Sequence, residues 1–148
     1  MKIAIGGDHA GFGMKDDLKT LIESLGHEVE DMGACSTEPS DYPDFARSVG
    51  EAVRDGRAER GVLVCGSGAG VTVAANKIRG VRATLAHDVY TAHQGVEHDD
   101  VNVITMGARI IGPAIATEVV KAFLGAKFSG EERHVRRLKK VLEIEAEN

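Results

Sequence analysis

Residues 61–70 read GVLVCGSGAG, the clearest transition from strand to loop in the chain. The apolar run at 61–65 is short and rich in valine, as in a buried strand, and three glycines follow it within five residues. The next segment, 71–77, has the pattern of a helix. A strand that passes through a glycine-rich loop into a helix is typical of a βαβ unit, so this stretch predicts an α/β fold with a parallel sheet.

Short apolar runs and longer amphipathic segments alternate along the rest of the chain. In residues 13–25 apolar side chains recur at helical spacing, and Gly26 follows as a C-terminal cap. Because strands alternate with helices, we predict a three-layer α/β/α architecture with a five-stranded parallel sheet, formed by residues 1–148 as a single domain. The predicted strands are 2–5, 28–32, 61–65, 81–85 and 101–106, and the predicted helices are 13–25, 45–54, 71–77, 88–97, 110–124 and 131–144.

Composition and charge exclude several classes of protein. The 148 residues include 18 Lys and Arg against 23 Asp and Glu, no Trp and 4% aromatic residues, so we expect no nucleic-acid partner. No apolar run approaches the ~18–20 residues of a membrane span, and the amino terminus has no apolar secretory segment. Two cysteines are too few for a disulfide scaffold. We therefore expect a cytoplasmic protein without a membrane partner.

Ligands of parallel α/β sheets bind in the loops that follow the strands, and in this chain those loops are polar. After the first strand, Asp8 and His9 place a carboxylate beside an imidazole, although a helix-capping Asp next to a solvated His is the alternative. After the third strand, Cys65 leads into the loop 66–70, whose backbone N–H groups suit a phosphate or an oxygen that becomes negative during a reaction. A thiol at a helix amino terminus favours the thiolate, but Cys65 can equally be a buried structural residue.

Histidines and acidic residues cluster in two later segments, His87-Asp88 and 97–100. Metal ligation is one interpretation, but the spacing matches no metal-binding motif, so we expect no metal. A histidine such as His98 can instead transfer protons at a sugar oxygen near neutral pH.

The segment 133–140 is strongly basic in an otherwise acidic chain. Arg133 and Arg137 are four residues apart and so share one helix face, and together with Arg109 they can bind a phosphate. The alternative is a solvated helix face on which these arginines pair with neighbouring glutamates.

Seven short motifs occur in an order that resembles the type B ribose-5-phosphate isomerase family, which includes galactose-6-phosphate and allose-6-phosphate isomerases. They are GDHAG at 7–11, DYPD at 41–44, CGSGAG at 65–70, AANK at 74–77, EHDDVN at 97–102, GAR at 107–109 and RHxxR at 133–137. The match runs nearly from end to end, and the seven motifs together are far more specific than any one of them. The resemblance implies a Rossmann-like fold and an aldose–ketose isomerase without metal or other cofactor. It also implies a homodimer or homotetramer with active sites between subunits, the C-terminal helix at about 131–146 packing at the interface.

Carried over residue by residue, the resemblance implies that Cys65 moves a proton between C1 and C2 of the sugar. It implies that His98 opens the furanose ring with help from Asp8, and that Ser67 and the backbone N–H groups of the loop hold the enediolate oxygen. The implied substrate contacts are Asp8, His9, Tyr42, Gly66, Ser67, Gly68, Ala69, Gly70, Asp99, Arg109, Arg133 and Arg137. The chemistry fits, because removing a proton next to a carbonyl requires both a base and a stabilised enediolate.

One position departs from the family pattern. His98-Asp99-Asp100 stands where relatives usually have His-Asn-Asp. An amide can donate a hydrogen bond to a sugar hydroxyl, whereas an ionised carboxylate can only accept one, so Asp99 bears on which sugar is preferred. The leading hypothesis is interconversion of ribose 5-phosphate and ribulose 5-phosphate. Isomerisation of galactose 6-phosphate or allose 6-phosphate, and a non-catalytic sugar-phosphate-binding module, remain alternatives.

Overall fold

A computed structural model describes all of residues 1–148 and contains five strands and six helices. In chain order the elements are β1 (Lys2–Gly7), α1 (Phe12–Ser24), β2 (Glu28–Asp31), α2 (Tyr42–Arg54), β3 (Arg60–Cys65), α3 (Ala69–Ala75), β4 (Ala83–Leu85), α4 (Val89–Asp99), β5 (Val103–Gly107), α5 (Pro113–Gly125) and α6 (Glu132–Ala146). Every predicted element is present, with bounds that differ from the prediction by three residues at most.

The largest differences are at the starts of α2 and α5, and proline explains both. Pro43 lies in the first turn of α2, and Pro113 is the first residue of α5. Proline lacks an N–H group, and its fixed φ suits the first turn of a helix, where that N–H has no partner. The predictions that these helices begin at 45 and 110 are therefore wrong, and residues 108–110 form a turn.

The five strands form one parallel sheet in the order β2-β1-β3-β5-β4, which confirms the predicted α/β class. β1 and β3 are neighbours, with Gly7 opposite Val64. The chain leaves these two strands in opposite directions, from β1 toward one edge of the sheet and from β3 toward the other. Their loops therefore diverge and leave a crevice at the carboxyl ends of the strands, where sheets of this kind bind ligands.

Helices cover both faces of the sheet, so the architecture has the predicted three layers. One face packs against α1, α4 and α5 through side chains that include Val64, and the other packs against α2 and α3 through side chains that include Leu63 and Cys65. Successive side chains of a strand point to opposite faces. The side chain of Cys65 therefore points toward the α2–α3 layer.

The end of β1 approaches β3 more closely than side chains would allow. A Cβ on Gly7 would lie 2.4 Å from the carbonyl oxygen of Val64, and a Cβ on Gly11 would lie 2.2 Å from the same oxygen. Only glycine fits at such positions. The N–H group of Asp8 donates a hydrogen bond to this oxygen, over 3.3 Å. These contacts hold the loop after β1 against the end of β3.

Helix α6 has the fewest buried residues of the six helices. It contacts α4, and His134 is its one buried residue. Apolar side chains of its second half are largely exposed, among them Val141 at 50% and Ile144 at 63%. None of the helices combines the length and apolar character needed to cross a bilayer.

Candidate active site

A cavity of about 410 Å³ opens at the carboxyl ends of β1 and β3, where the two loops diverge. Its lining residues are Asp8, His9, Ala10, Tyr42, Cys65, Gly66, Ser67, Gly70, Arg109 and Ile110. A larger groove of about 770 Å³ runs between α6 and β4, but neither Cys65 nor the glycine-rich loop lines it. The smaller cavity is therefore the candidate active site.

Cys65 is the last residue of β3 and lies at the base of this cavity. Its side chain is only 5% exposed and packs with the α2–α3 core, yet it lines the cavity. The sulfur accepts a hydrogen bond from the N–H group of Gly68, with an Sγ–N distance of 3.1 Å. An N–H donor aimed at sulfur stabilises a negative charge there. The geometry favours the functional interpretation of Cys65 over a purely structural one.

The glycine-rich loop turns sharply around that sulfur. Gly68 has a φ of +82°, in the left-handed region that glycine adopts at little cost, and this turn brings its N–H group to Sγ. Ser67 lines the cavity, and its hydroxyl oxygen accepts a hydrogen bond from the N–H group of Ala69 over 3.2 Å. The loop thus brings a thiol, a hydroxyl and backbone N–H groups to one place.

Asp8 lies across the cavity at the end of β1 and is 7% exposed. Its Oδ1 accepts hydrogen bonds from the N–H groups of Ala10, at 3.0 Å, and Gly11, at 3.1 Å. The carboxylate therefore stabilises its own loop while it also lines the cavity. The helix-capping alternative is wrong, because the N-cap of α1 is Gly11 and no side chain caps that helix. Its hydrogen bonds within the chain use Oδ1, which leaves Oδ2 for a ligand.

His9 is held by a reciprocal pair of hydrogen bonds with Ser40. The backbone N–H group of His9 donates to Ser40 Oγ, and the backbone N–H group of Ser40 donates to His9 Nδ1, both over 3.1 Å. Since Nδ1 accepts, the neutral imidazole carries its proton on Nε2 and can donate that proton to a ligand. Ser40 was not among the predicted site residues, because its only signal in the sequence was a polar side chain in the loop between β2 and α2.

Tyr42 and Arg109 form the remaining walls of the cavity. A Cβ on Gly70 would lie 2.9 Å from the ring of Tyr42, so the absence of a side chain lets the ring pack over the start of α3. The N–H group of Arg109 donates to the carbonyl of Gly66 over 3.0 Å, and its guanidinium group lies beside that glycine. Arg109 is therefore the guanidinium that this chain itself supplies to the cavity.

The other predicted site residues do not line this cavity within a single chain. The ring of His98 stacks on that of His134, with centroids 4.1 Å apart, and Asp99 lines the larger groove. On α6, Arg133 pairs with Glu131 over 3.1 Å, as the solvated-face alternative predicted, whereas Arg137 has no ion pair in the chain. The predicted site is thus divided into two groups. The Cys65 group lines the cavity, and the His98–Arg group, which consists of His98, Arg133 and Arg137, does not.

The His98–His134 stack contains a buried titratable group. His134 is 3% exposed, and burial together with the neighbouring His98 lowers its pKa. A hydrogen bond of 2.6 Å joins its Nδ1 to Ser129 Oγ. Packing thus favours a neutral His134 in the folded state.

We expect the stability of the fold to decrease in mild acid because of His134. Its folded-state pKa lies below the unfolded value of about 6.5, so its contribution is complete above that value and is lost as the pH falls through the folded-state pKa. Urea unfolding of wild type and His134→Asn, which keeps a group able to bond Ser129, measures this. The stability advantage of wild type should shrink between pH 7.5 and pH 5, and an advantage that stays constant would contradict the prediction.

Comparison with known proteins places these features in a family. Residues 3–141 match the family described as Ribose/Galactose Isomerase. Ribose-5-phosphate isomerase B of Escherichia coli is 40% identical over 144 residues, 97% of this chain and 96% of that protein. D-erythrulose-4-phosphate isomerase of Pectobacterium atrosepticum is 39% identical over 131 residues, 88% of this chain and 86% of that protein.

A solved structure of Clostridium thermocellum ribose-5-phosphate isomerase B has the same fold. It superimposes with a TM-score of 0.97 and 41% sequence identity, over 99% of each chain. This similarity confirms the Rossmann-like fold expected from the motifs. With the family match over residues 3–141, it shows that the chain belongs to the ribose/galactose isomerase family of sugar phosphate isomerases.

Proposed function

We propose that the chain interconverts ribose 5-phosphate and ribulose 5-phosphate through an enediolate, with Cys65 as the base. The observation that carries this proposal is the hydrogen bond from Gly68 N–H to Cys65 Sγ at the base of the cavity. It joins a proton acceptor to a loop rich in N–H donors, the two components that proton abstraction next to a carbonyl requires. The name of the Escherichia coli relative supports the choice of substrate.

In the proposed reaction, the Cys65 thiolate removes the proton from C2 of the open-chain aldose. The electron pair of the C–H bond forms the C1–C2 double bond, and the carbonyl oxygen at C1 becomes the negative oxygen of the enediolate. Ser67 and the N–H groups of the glycine-rich loop stabilise this oxygen, and each critical donor is typically worth about 3–4 kcal/mol. The proton on O2 passes to O1, which becomes the C1 hydroxyl, and the negative charge moves to O2. The Cys65 thiol then returns its proton to C1 as the C2 ketone forms, which regenerates the thiolate.

The phosphate group positions the sugar in the cavity. His9 offers an Nε2–H donor, and Arg109 offers a guanidinium group on the opposite wall of the cavity. Binding energy from a phosphate remote from the reacting carbons can orient C1 and C2 against Cys65. Asp8 Oδ2 would accept from a sugar hydroxyl or assist at the ring oxygen.

We also propose that a second copy of the chain completes the site with its His98–Arg group. Two observations support a dimer with active sites between subunits. The first is that His98, Arg133 and Arg137 do not line the cavity of their own chain. The second is a set of exposed apolar side chains at the carboxyl side of the sheet, which a second copy would cover. They are Val73 (62% exposed), Leu85 (38%), Val89 (49%), Tyr90 (72%), Ile110 (58%) and Ile115 (49%).

An isomerase assay over a panel of sugar phosphates tests the function. The panel contains ribose 5-phosphate, galactose 6-phosphate, allose 6-phosphate and erythrulose 4-phosphate, with the reaction run in D₂O. We expect the highest kcat/KM with ribose 5-phosphate and incorporation of solvent deuterium at the carbon that is protonated. A higher kcat/KM with a six-carbon phosphate would transfer the assignment to that sugar. Tight binding with neither turnover nor deuterium exchange would show a binding module instead.

Erythrulose 4-phosphate is the second candidate substrate, because a relative with 39% identity carries that name. Its shorter chain would leave fewer hydroxyl groups for Asp8 to contact, and Asp99, which lies outside the cavity of its own chain, would reach the sugar only from the second copy. Asp99→Asn is the matched variant for this comparison, since it restores the amide that relatives usually have. If the carboxylate selects the sugar, the ratio of kcat/KM between substrates will change in this variant, whereas a uniform change across the panel will exclude that role.

A further inference from the structure

His87, one half of the His87-Asp88 pair, contacts the end of β5 rather than the cavity. Its Nε2 accepts a hydrogen bond from the backbone N–H group of Gly107, over 2.9 Å. The residue is half-buried and is not among those that line the cavity. It therefore has a defined partner in the backbone and no direct access to a bound sugar.

The glycine-rich loop packs directly against Gly107. It lies opposite Cys65 in the β3–β5 register. A Cβ on Gly107 would lie 2.6 Å from the carbonyl carbon of Ser67 and 2.7 Å from the carbonyl oxygen of Gly66. A Cβ on Gly68 would in turn lie 3.1 Å from the nitrogen of Gly107. The Gly107 N–H group, which donates to His87, is therefore in contact with the loop whose Gly68 N–H group donates to Cys65 Sγ.

The turn after β5 makes further hydrogen bonds to the end of β3 and to the glycine-rich loop. Ala108 N–H donates to the carbonyl of Cys65 over 2.8 Å, and Arg109 N–H donates to the carbonyl of Gly66 over 3.0 Å. A shift of Gly107 would therefore move the sulfur, the loop and the Arg109 backbone together. Holding Gly107 in place holds three components of the candidate site.

The hydrogen bond also determines the state of the imidazole. A nitrogen that accepts a hydrogen bond carries no proton, so a neutral His87 has its proton on Nδ1. Its neighbour Asp88 is engaged elsewhere, because its carboxylate accepts from the N–H and hydroxyl groups of Thr91, over 2.7 and 2.8 Å. Asp88 thus caps the amino terminus of α4, and His87 accepts a hydrogen bond from the backbone of β5. Both side chains have partners within the chain and do not act as a pair of metal ligands.

We propose that His87 is a positioning residue for the isomerase reaction. It anchors Gly107, so that the glycine-rich loop presents its N–H groups to Cys65 and to the enediolate. This role rests on the proposed function. His87 acts through the backbone of Gly107 and does not touch the substrate. Its loss should therefore reduce kcat by a larger factor than it changes KM, since the sulfur and the loop move with Gly107, whereas His9 is held by Ser40 outside this network.

Three variants separate anchoring from a general structural role. In His87→Gln the amide oxygen occupies the place of Nε2 and can still accept from Gly107, whereas His87→Leu has no acceptor and the side chain of His87→Asn is too short to reach. We expect kcat to fall about 10–100-fold in the Leu and Asn variants, because misplacement by about 1 Å can cost that much, and to stay within about threefold of wild type in the Gln variant. Loss of kcat in all three variants, or in none, would overturn the proposal, as would a KM effect larger than the kcat effect.

Alkylation of Cys65 provides a readout that needs no isomerase activity. In a Cys35→Ser background, which removes the exposed second thiol, iodoacetamide reacts with Cys65 at a rate that depends on how the loop covers it. Rates are compared at the high-pH plateau of each variant, where the thiol is fully ionised and the loss of the Gly68 N–H donor no longer changes the thiolate fraction. There we expect the Leu and Asn variants to react at least about threefold faster than wild type and the Gln variant to match it, because a displaced loop exposes the sulfur. Equal rates in all variants would refute the anchoring of the loop. Faster alkylation in a protein inactive on every sugar phosphate would instead refute the proposed function and retain the anchor.

Discussion

Cys65→Ala will lower kcat by about 10²–10⁴-fold while the protein still binds sugar phosphate, because general-base catalysis typically contributes that much. The thiol accepts a hydrogen bond from the N–H group of Gly68 at the base of the cavity, and alanine has no proton acceptor at this position. The phosphate contacts of His9 and Arg109 remain in the variant. Turnover is measured by following the ketose product, and binding by titration with ribose 5-phosphate in the inactive variant.

Deuterium exchange adds a second readout to this variant. If Cys65 is the base, the variant will lose exchange of the C2 proton with solvent to the same extent as it loses turnover. Cys65→Ser keeps the size of the side chain but replaces a readily ionised thiol with a hydroxyl, so it should be impaired as well. Cys35→Ser is the matched control, because Cys35 is exposed and lies outside the cavity. Full activity of Cys65→Ala would remove the proposed base.

Mixed dimers will recover activity that neither of two inactive parents has. His98→Asn should lose about 10²-fold or more in turnover of the ring-closed sugar, and Cys65→Ala is inactive for the reason above. If each site combines Cys65 of one chain with the His98–Arg group of another, random pairing gives about half mixed dimers, each with one intact site. The mixture should therefore regain about a quarter of wild-type activity, because about half of the dimers are mixed and one of the two sites in each is intact.

The pairing experiment has its own control and its own contradicting result. Mixing Cys65→Ala with Cys65→Ser leaves every site without the thiol, so no activity should return. Co-expression with two different affinity tags isolates the mixed dimers and avoids dependence on subunit exchange. Isolated mixed dimers without activity would show that the two groups do not combine across subunits. A protein that remains monomeric would contradict the proposed dimer itself.

Much of the candidate site could be predicted from residues that are close in sequence. Cys65, Ser67 and Gly68 follow one another at the end of a strand, and their hydrogen bonds span only two or three residues. Asp8 likewise bonds to the N–H groups two and three residues ahead. Local chemistry of this kind depends on the backbone of one loop, which the glycines already indicate.

Contacts between distant segments were not predictable in the same way. The bond between His87 and Gly107 spans 20 residues, and the pair formed by His9 and Ser40 spans 31 residues. Nothing in the His87-Asp88 pair indicates which backbone group the imidazole will meet. The sequence pattern therefore suggested a metal site as one interpretation, while the structure shows a backbone acceptor next to a helix cap.

The amino-acid sequence alone determined the succession of strands and helices and the polar loops at the strand ends, because side-chain periodicity and glycine or proline act over a few residues. The tertiary structure decided the strand order, which places the loops of β1 and β3 on one cavity and leaves His98 outside it. Strand order results from many weak packing contacts between segments far apart in the chain, and periodicity is the same whichever strand becomes the neighbour. For this reason the residues of the site were recognisable in the sequence, but their division into two groups became visible only in the folded chain.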